Sequence, residues 1–268
     1  MICISISSKP GRFGTIVHNA GYKAVGLDWY YQACAVKELD GVIQGIRSLK
    51  IRGCSISMPF KEQVIKYLDK IDPIAKKVGA VNTIVNKNGK LIGYNTDVLG
   101  AKESLKRLKP NKNSNFLVLG AGGGARAVII ALKELHLNKI SISGRSFLKT
   151  KKLGKKFKIH VVKWEDRENC KTDFLINATP IGMKPNISAM PVSKKFVSNL
   201  KGVMDLVINP PLTNLIKNSK SLKIKNSDGL IMALYQAIAQ FELYTGINPP
   251  VKIMKNAVKK LYMEKNEF

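Results

Sequence analysis

Between residues 115 and 135 the chain reads as strand, glycine loop and helix, an order that few folds accept. Asn115-Phe116-Leu117-Val118-Leu119 is an apolar run of strand length. It stops at Gly120-Ala121-Gly122-Gly123-Gly124-Ala125, and a helical pattern follows over 125–135. A buried strand that turns through glycines into a helix is the opening of a parallel crossover. There, Gly120 permits the tight turn, and Gly122 lets backbone amides approach a pyrophosphate at the positive end of a helix. Further strands at 139–143, 174–177 and 203–207 keep the same rhythm. The expectation is a Rossmann-type doubly wound sheet that holds a dinucleotide along Gly120, Ala121, Gly122, Gly123, Gly124 and Ala125.

The end of the next strand discriminates between cofactors. Domains that bind NAD commonly place a carboxylate there for the ribose hydroxyls. This chain has Ser143-Gly144-Arg145-Ser146 instead, with Lys149, Lys151 and Lys152 close behind. A guanidinium at Arg145 can clamp a ribose 2′-phosphate and stack on adenine, which favours NADP. As a surface charge alone it would do neither.

Upstream, strand and helix signals alternate in a different register. Strands are predicted at 1–6, 29–36 and 52–58, with helices at 16–24, 39–49 and 60–68. A hairpin is predicted from 81–86 and 90–94 around the turn pair Asn88-Gly89. This is an α/β pattern of its own. A helix over 98–108 and a polar loop at 109–113 lead into the Rossmann strand. Near the C-terminus Leu230, Leu234, Ala237, Ile238 and Phe241 repeat at helical spacing and Gly246 is a natural stop. A final amphipathic helix follows Pro249-Pro250.

Two charged residues in distinctive peptides carry the chemistry. Lys61 ends Ser57-Met58-Pro59-Phe60-Lys61, and Asp97 ends Gly93-Tyr94-Asn95-Thr96-Asp97. An ammonium and a carboxylate are what proton transfer at a carbonyl or alcohol requires. Taken singly, Lys61 reads as a solvated charge at a helix start and Asp97 as a helix N-cap. Beside a dinucleotide loop they suggest a nicotinamide-dependent oxidoreductase.

Composition excludes several other classes. The formal net charge is +27, but the lysines are spread along the chain and no basic-aromatic repeat accompanies them. A nucleic-acid partner is therefore not expected. No apolar run approaches the roughly 20 residues of a membrane span. The first residues lack a basic n-region and read as a strand, not a signal peptide. Cys3, Cys34, Cys54 and Cys170 form no C-x-x-C pair, so free thiols in a reducing cytoplasm are expected. His18, His136 and His160 offer no ligand spacing, and no metal site is expected.

Several of these peptides resemble those of the shikimate dehydrogenase family. They are Ser57 through Lys61, Gly79-Ala80-Val81-Asn82-Thr83-Ile84, Asn95-Thr96-Asp97 and the glycine loop. Asn177-Ala178-Thr179-Pro180-Ile181-Gly182-Met183 and Gly229-Leu230-Ile231-Met232 with Gln236 complete the set, in family order along nearly the whole chain. The resemblance implies a substrate domain over 1–97 completed by 229–268, with the NADP domain inserted at 98–228. It implies NADP-linked reduction of 3-dehydroshikimate to shikimate, with Lys61 and Asp97 as the catalytic pair. Ser57, Asn82 and Gln236 would hold ring hydroxyls. Arg145 and Ser146 would serve the 2′-phosphate side, and Thr179, Met183, Gly229 and Met232 the nicotinamide side.

The chain also departs from the family. Two substrate-carboxylate serines, counted back from His18-Asn19, are Arg12 and Gly14 here. The tyrosine expected after a late strand aspartate is Ile208, and the asparagine before the cofactor arginine is Gly144. This pattern is similar to the shikimate dehydrogenase-like subgroup. Arg12 can pair with the carboxylate or stand as a solvated loop charge. Quinate or another cyclic hydroxy acid is an alternative substrate, and a non-catalytic NADP sensor an alternative role. The protein is expected to act as a monomer or homodimer.

Overall fold

The computed structural model describes residues 1–263, and divides them into two compact units. The first comprises Met1–Thr96 with the chain from Leu234 onward, and the second Asp97–Ala233.

In the first unit β1 (Ile2–Ser7), α1 (Phe13–Ala24), β2 (Tyr30–Ala35), α2 (Asp40–Ser48) and β3 (Gly53–Ile56) follow in turn. Then come a 3-10 turn (Gln63–Tyr67), β4 (Lys70–Ile71), α3 (Pro73–Val78), β5 (Thr83–Lys87) and β6 (Lys90–Tyr94). The strands form one sheet in the order β2-β1-β3-β5-β6-β4. β1 runs parallel to β2 and β3, whereas β5 is antiparallel to β3 and β6. Ile4, Ile6, Ile43, Ile46, Ile56, Ile84 and Leu91 pack between this sheet and α2. The hairpin turns at Asn88 and Gly89, both with positive φ.

The expected helix over 60–68 is not formed. Only the tighter 3-10 turn exists, with Ile65 N–H donating to the Glu62 carbonyl and Leu68 N–H to that of Ile65. Leu68 is already extended (ψ 143°), because the chain must enter β4 two residues later. β4 and α3 were not foreseen, although Asp72 caps α3 by accepting from Ile74 N–H and Pro73 opens it, a readable start signal.

The second unit runs through α4 (Asp97–Leu108), β7 (Phe116–Leu119), α5 (Gly123–Glu134), β8 (Ile140–Ser143), α6 (Phe147–Phe157) and β9 (His160–Val162). β10 (Phe174–Asn177), α7 (Lys194–Ser198), β11 (Gly202–Asp205), α8 (Asn214–Ser221) and β12 (Lys225–Ser227) follow. All six strands are parallel, in the order β9-β8-β7-β10-β11-β12. Counted from β7, that is the doubly wound order 3-2-1-4-5-6, whose topological switch point lies between β7 and β10. β7, β10 and β11 are buried at every residue, as parallel strands covered on both faces must be.

Helix α9 (Gly229–Thr245) begins in the second unit and continues in the first from Leu234. Gly246 ends it at φ +72°, and α10 (Val251–Met263) follows the two prolines and packs on α1. Among the described residues no helix is long and apolar enough to cross a membrane, and all four cysteines are free.

Candidate active site

On the second unit the glycine loop occupies the switch point. Gly120 has φ +112°, and a Cβ there would sit 2.8 Å from the Ala178 carbonyl oxygen and 3.4 Å from Thr179 Cγ2. The loop after β7 and the loop after β10 thus touch, which brings Thr179 to the glycine loop. Gly122 is the N-cap of α5, with no side-chain cap and no atom within 4 Å of a notional Cβ. Nothing inside the protein requires glycine there, whereas a ligand backed onto the helix end would. Gly124 fits the third role of such a loop: its Cβ would meet Leu206 Cδ2 at 2.9 Å, so the helix lies close on the sheet. α5 begins at Gly123, two residues before the expected 125, because glycines are tolerated in a first turn that packing already fixes.

Arg145 and Ser146 lie exposed beyond β8. Arg145 borders a cavity of about 340 Å³ with Gly144, Phe147, Lys163, Trp164 and Glu165. A Cβ at Gly144 would approach Thr150 Oγ1 to 2.8 Å, so the side chain missing at 144 has no room without moving Thr150, which is fully buried. This set fits a phosphorylated adenosine: open amides at a helix end, a cation on the rim, and aromatic and cationic walls.

The loop 178–183 is pinned from below. Asn177 Nδ2 donates to Asp205 Oδ1 at 3.0 Å and to the Ile181 carbonyl, while its Oδ1 accepts from Thr179 N–H and Oγ1–H. Asp205 also accepts from Thr213 Oγ1–H at 2.6 Å and Val207 N–H at 3.1 Å. Burial pushes its carboxyl up to about 6, against the lowering effect of the Thr213, Val207 and Asn177 hydrogen bonds. Met183 is half-buried in that loop. Gly229 lies so close to the chain just after β11 that a Cβ would fall 2.3 Å from the Val207 carbonyl oxygen. Met232 is buried, with its backbone against Gly100 of α4.

On the first unit Asn82 is the centre of a polar cluster. It is 2% exposed, and its Nδ2 donates to Thr96 Oγ1 at 2.9 Å and to Gln236 Oε1 at 3.4 Å. Its Oδ1 accepts from Thr96 N–H at 2.8 Å and Thr83 Oγ1–H at 2.7 Å. The structure therefore brings Asn82 and Gln236 together. Of the residues that complete the cluster, Thr83 and Thr96 stood in the distinctive peptides without a role of their own, and Gln240 went unremarked in the sequence. The signal for Gln240 was its spacing of four from Gln236 on one helix, which places both on the same face.

Lys61 is half-buried beyond β3, and its carbonyl accepts from Val81 N–H at 2.8 Å. Ser57 stands exposed at the same strand exit, its N–H bonded to the Ile6 carbonyl. Asp97 is the buried first residue of α4 and follows Thr96 directly. Arg12 is exposed at the N-cap of α1. At Gly14 a Cβ would lie 3.0 Å from Tyr31 Cε1 and 3.1 Å from its hydroxyl. The ring of Tyr31, 1% exposed, thus takes the space a serine would need.

Known proteins share this architecture. The family model for the shikimate dehydrogenase substrate binding domain matches residues 13–84, and that for the shikimate 5′-dehydrogenase C-terminal domain matches 229–259. The shikimate dehydrogenase-like protein of Haemophilus influenzae is 36% identical over 258 residues, covering 96% of this chain and 94% of its own. Shikimate dehydrogenase (NADP(+)) of Methanocaldococcus jannaschii is 41% identical over 261 residues, covering 92% and 91%. Shikimate 5-dehydrogenase of Thermus thermophilus, solved with NADP(H) and shikimate, superposes with a TM-score of 0.87 at 30% identity, covering 97% of this chain and 99% of the other. With its peptides in family order, both family models matched and such relatives aligned along nearly their whole length, the chain belongs to the shikimate dehydrogenase family.

Proposed function

We propose that this chain is an NADP-dependent dehydrogenase that interconverts 3-dehydroshikimate and shikimate. The observation that carries the reading is the open helix end at Gly122 with Arg145 on the rim of the neighbouring cavity, in a chain whose relatives bear that activity in their names. We assign residues 98–228 to the NADP side and 1–97 with 229–268 to the substrate side, of which 264–268 lie outside the described residues. Gly120, Ala121, Gly122, Gly123, Gly124 and Ala125 hold the pyrophosphate. Arg145 and Ser146 hold the 2′-phosphate, and Thr179, Met183, Gly229 and Met232 flank the nicotinamide.

The cofactor supplies the hydride, and the chain supplies position, field and a proton. In reduction Lys61 stabilises the alkoxide that develops on the ketone oxygen and delivers its proton, while Asp97 orients that hydroxyl and tunes Lys61. Ser57, Asn82 and Gln236 hold ring hydroxyls. Arg12 takes the carboxylate, a role supported by Gly14, where the Tyr31 ring stands in the place of a serine hydroxyl. The same departure favours a second reading, a dehydrogenase of quinate or another cyclic hydroxy acid. We place the enzyme in the cytoplasm as a monomer or homodimer, which light scattering distinguishes.

The deciding experiment follows NADPH absorbance with shikimate, quinate and related acids. Turnover of shikimate with NADP⁺ is expected. Turnover of quinate alone would select the second reading, and NADP binding without turnover of any acid would make the protein a sensor.

A further inference from the structure

Behind Asn82 the first unit holds a buried polar chain that the dehydrogenase reading does not use. His18 is fully enclosed, and its ring stacks on Tyr31 with centroids 4.4 Å apart. Its Nε2 lies 3.4 Å from Gln240 Oε1, and its buried Nδ1 has no hydrogen-bond partner. Gln240 is itself 1% exposed.

Chemistry alone fixes the direction of each bond. Gln240 Nε2 lies 3.3 Å from the Asn82 carbonyl oxygen, which can only accept, so the nitrogen of this amide faces β5 and its oxygen faces His18. His18 must then donate through Nε2. The other tautomer would bury an orphaned N–H at Nδ1 and set two lone pairs against each other at Nε2. Gln240 Nε2 also lies 3.0 Å from both Ser55 Oγ and Thr83 Oγ1. Thr83 has one hydroxyl proton, and it goes to Asn82 Oδ1 at 2.7 Å, because that oxygen cannot donate. Thr83 therefore faces Gln240 Nε2 as an acceptor, at one of the two shortest distances that amide makes. The sequence His18 to Gln240 to Thr83 to Asn82 runs one way. It ends with the Asn82 oxygen held by Thr83 and Thr96 and the Asn82 nitrogen turned to Thr96 Oγ1 and Gln236 Oε1.

We propose that His18, Gln240 and Thr83 are positioning residues that, together with the Thr96 N–H, hold the Asn82 amide in this orientation, so that Asn82 meets the substrate as a hydrogen-bond donor, with an acceptor oxygen of the substrate taking the place of Gln236 Oε1 at 3.4 Å. The inference rests on the reading of Asn82 as a substrate contact. A reversed amide would present an acceptor at the same place and favour a different ligand atom. The lock removes that alternative before substrate arrives, which is the economy of a preorganised site.

The test uses the full chain, ¹⁵N-labelled and without ligand, with Gln240→Leu and Thr83→Val. The second is nearly isosteric and cuts the path one bond later, so it carries the test where the first fails to fold. Hydrogen exchange of the Asn82 side-chain amide is expected to quicken by about tenfold in either variant. KM for shikimate is expected to rise roughly five- to tenfold, the worth of about one neutral hydrogen bond, with KM for NADP⁺ and kcat nearly unchanged. The double variant should be no worse than Gln240→Leu, since both cut one path. Damage to folding alone would lower Tm and the active fraction and leave KM where it was. Unchanged Asn82 exchange together with unchanged KM overturns the proposal. A parent inactive on shikimate counts against the functional reading alone, and the exchange rates still decide whether the lock exists.

Discussion

A histidine at position 18 with no solvent contact makes acid a specific threat to this protein. Burial pushes its pKa down from 6.5 to about 4, and the hydrogen bond to Gln240 only partly opposes this. Its neighbours Tyr22, Tyr31, Tyr244 and Gln240 bring no carboxylate that could hold the charged ring. The folded value lies below the unfolded one, so the contribution is complete above pH 6.5 and is lost as pH falls toward about 4. The loss amounts to about 3 kcal/mol over that window. His18→Gln keeps a donor and removes the titration. Thermal melts at pH 7 and pH 4.5 should therefore show a smaller drop in Tm for His18→Gln than for the parent, and equal drops would refute the assignment. In the sequence His18 served with Asn19 as a reference for the family peptides and showed no metal spacing, but nothing marked it as enclosed. Its enclosure depends on Tyr31 and Gln240, residues distant along the chain, and no local pattern announces that. Arg12 and Gly14 were legible as departures, but the reason for Gly14, the tip of the Tyr31 ring, belongs to the tertiary structure.

The elements that read most clearly were those whose composition is forced by burial. β7 is an unbroken apolar run, and β10 is one up to its last residue, Asn177, because both faces of a parallel sheet are covered, and the hairpin announced itself through Asn88-Gly89. Short pieces were lost. α3 spans six residues, too few for a helical period, and the 3-10 turn at Gln63–Tyr67 carries a helix-like composition that the next strand cuts short. How closely elements approach is also hidden from sequence, and glycines test it. Gly53 in β3 faces α9, where a Cβ would fall 2.3 Å from Tyr244 Cδ1 in a fully buried contact. Gly45 inside α2 has nothing within 4 Å of its notional Cβ. One substitution should thus act with opposite signs. Gly53→Ala should destabilise by about 1–3 kcal/mol through overpacking. Gly45→Ala should stabilise by roughly 0.5–1 kcal/mol through helix propensity. Urea unfolding of the two variants checks both, and a stabilised Gly53→Ala would mean that β3 and α9 pack more loosely than described.

Over the whole molecule the charge of +27 surrounds chemistry that uses few of those cations. Lysines dispersed in this way raise the local concentration of anions without choosing among them, whereas selection needs a guanidinium at one place. The two effects separate with salt. Raising ionic strength should slow NADPH association in the parent and in Arg145→Ala alike, because the general field survives the substitution. Preference for NADP over NAD, expected to be at least about tenfold for a charge-assisted contact, should largely vanish in Arg145→Ala. Lys61 lies on the first unit and Arg145 on the second, so their losses should not resemble each other. Lys61→Ala should lower kcat by roughly 10²–10⁴, as for a lost acid–base group, and leave the NADP dissociation constant within about twofold, since the glycine loop and Arg145 are untouched. Arg145→Ala should raise that constant and leave kcat at saturating cofactor nearly unchanged. Fluorescence titration of NADPH beside steady-state kinetics measures both quantities on the same samples. Turnover in Lys61→Ala equal to the parent's, on whichever acid the parent uses, would remove Lys61 from the chemistry even though the fold and the cofactor remained as described.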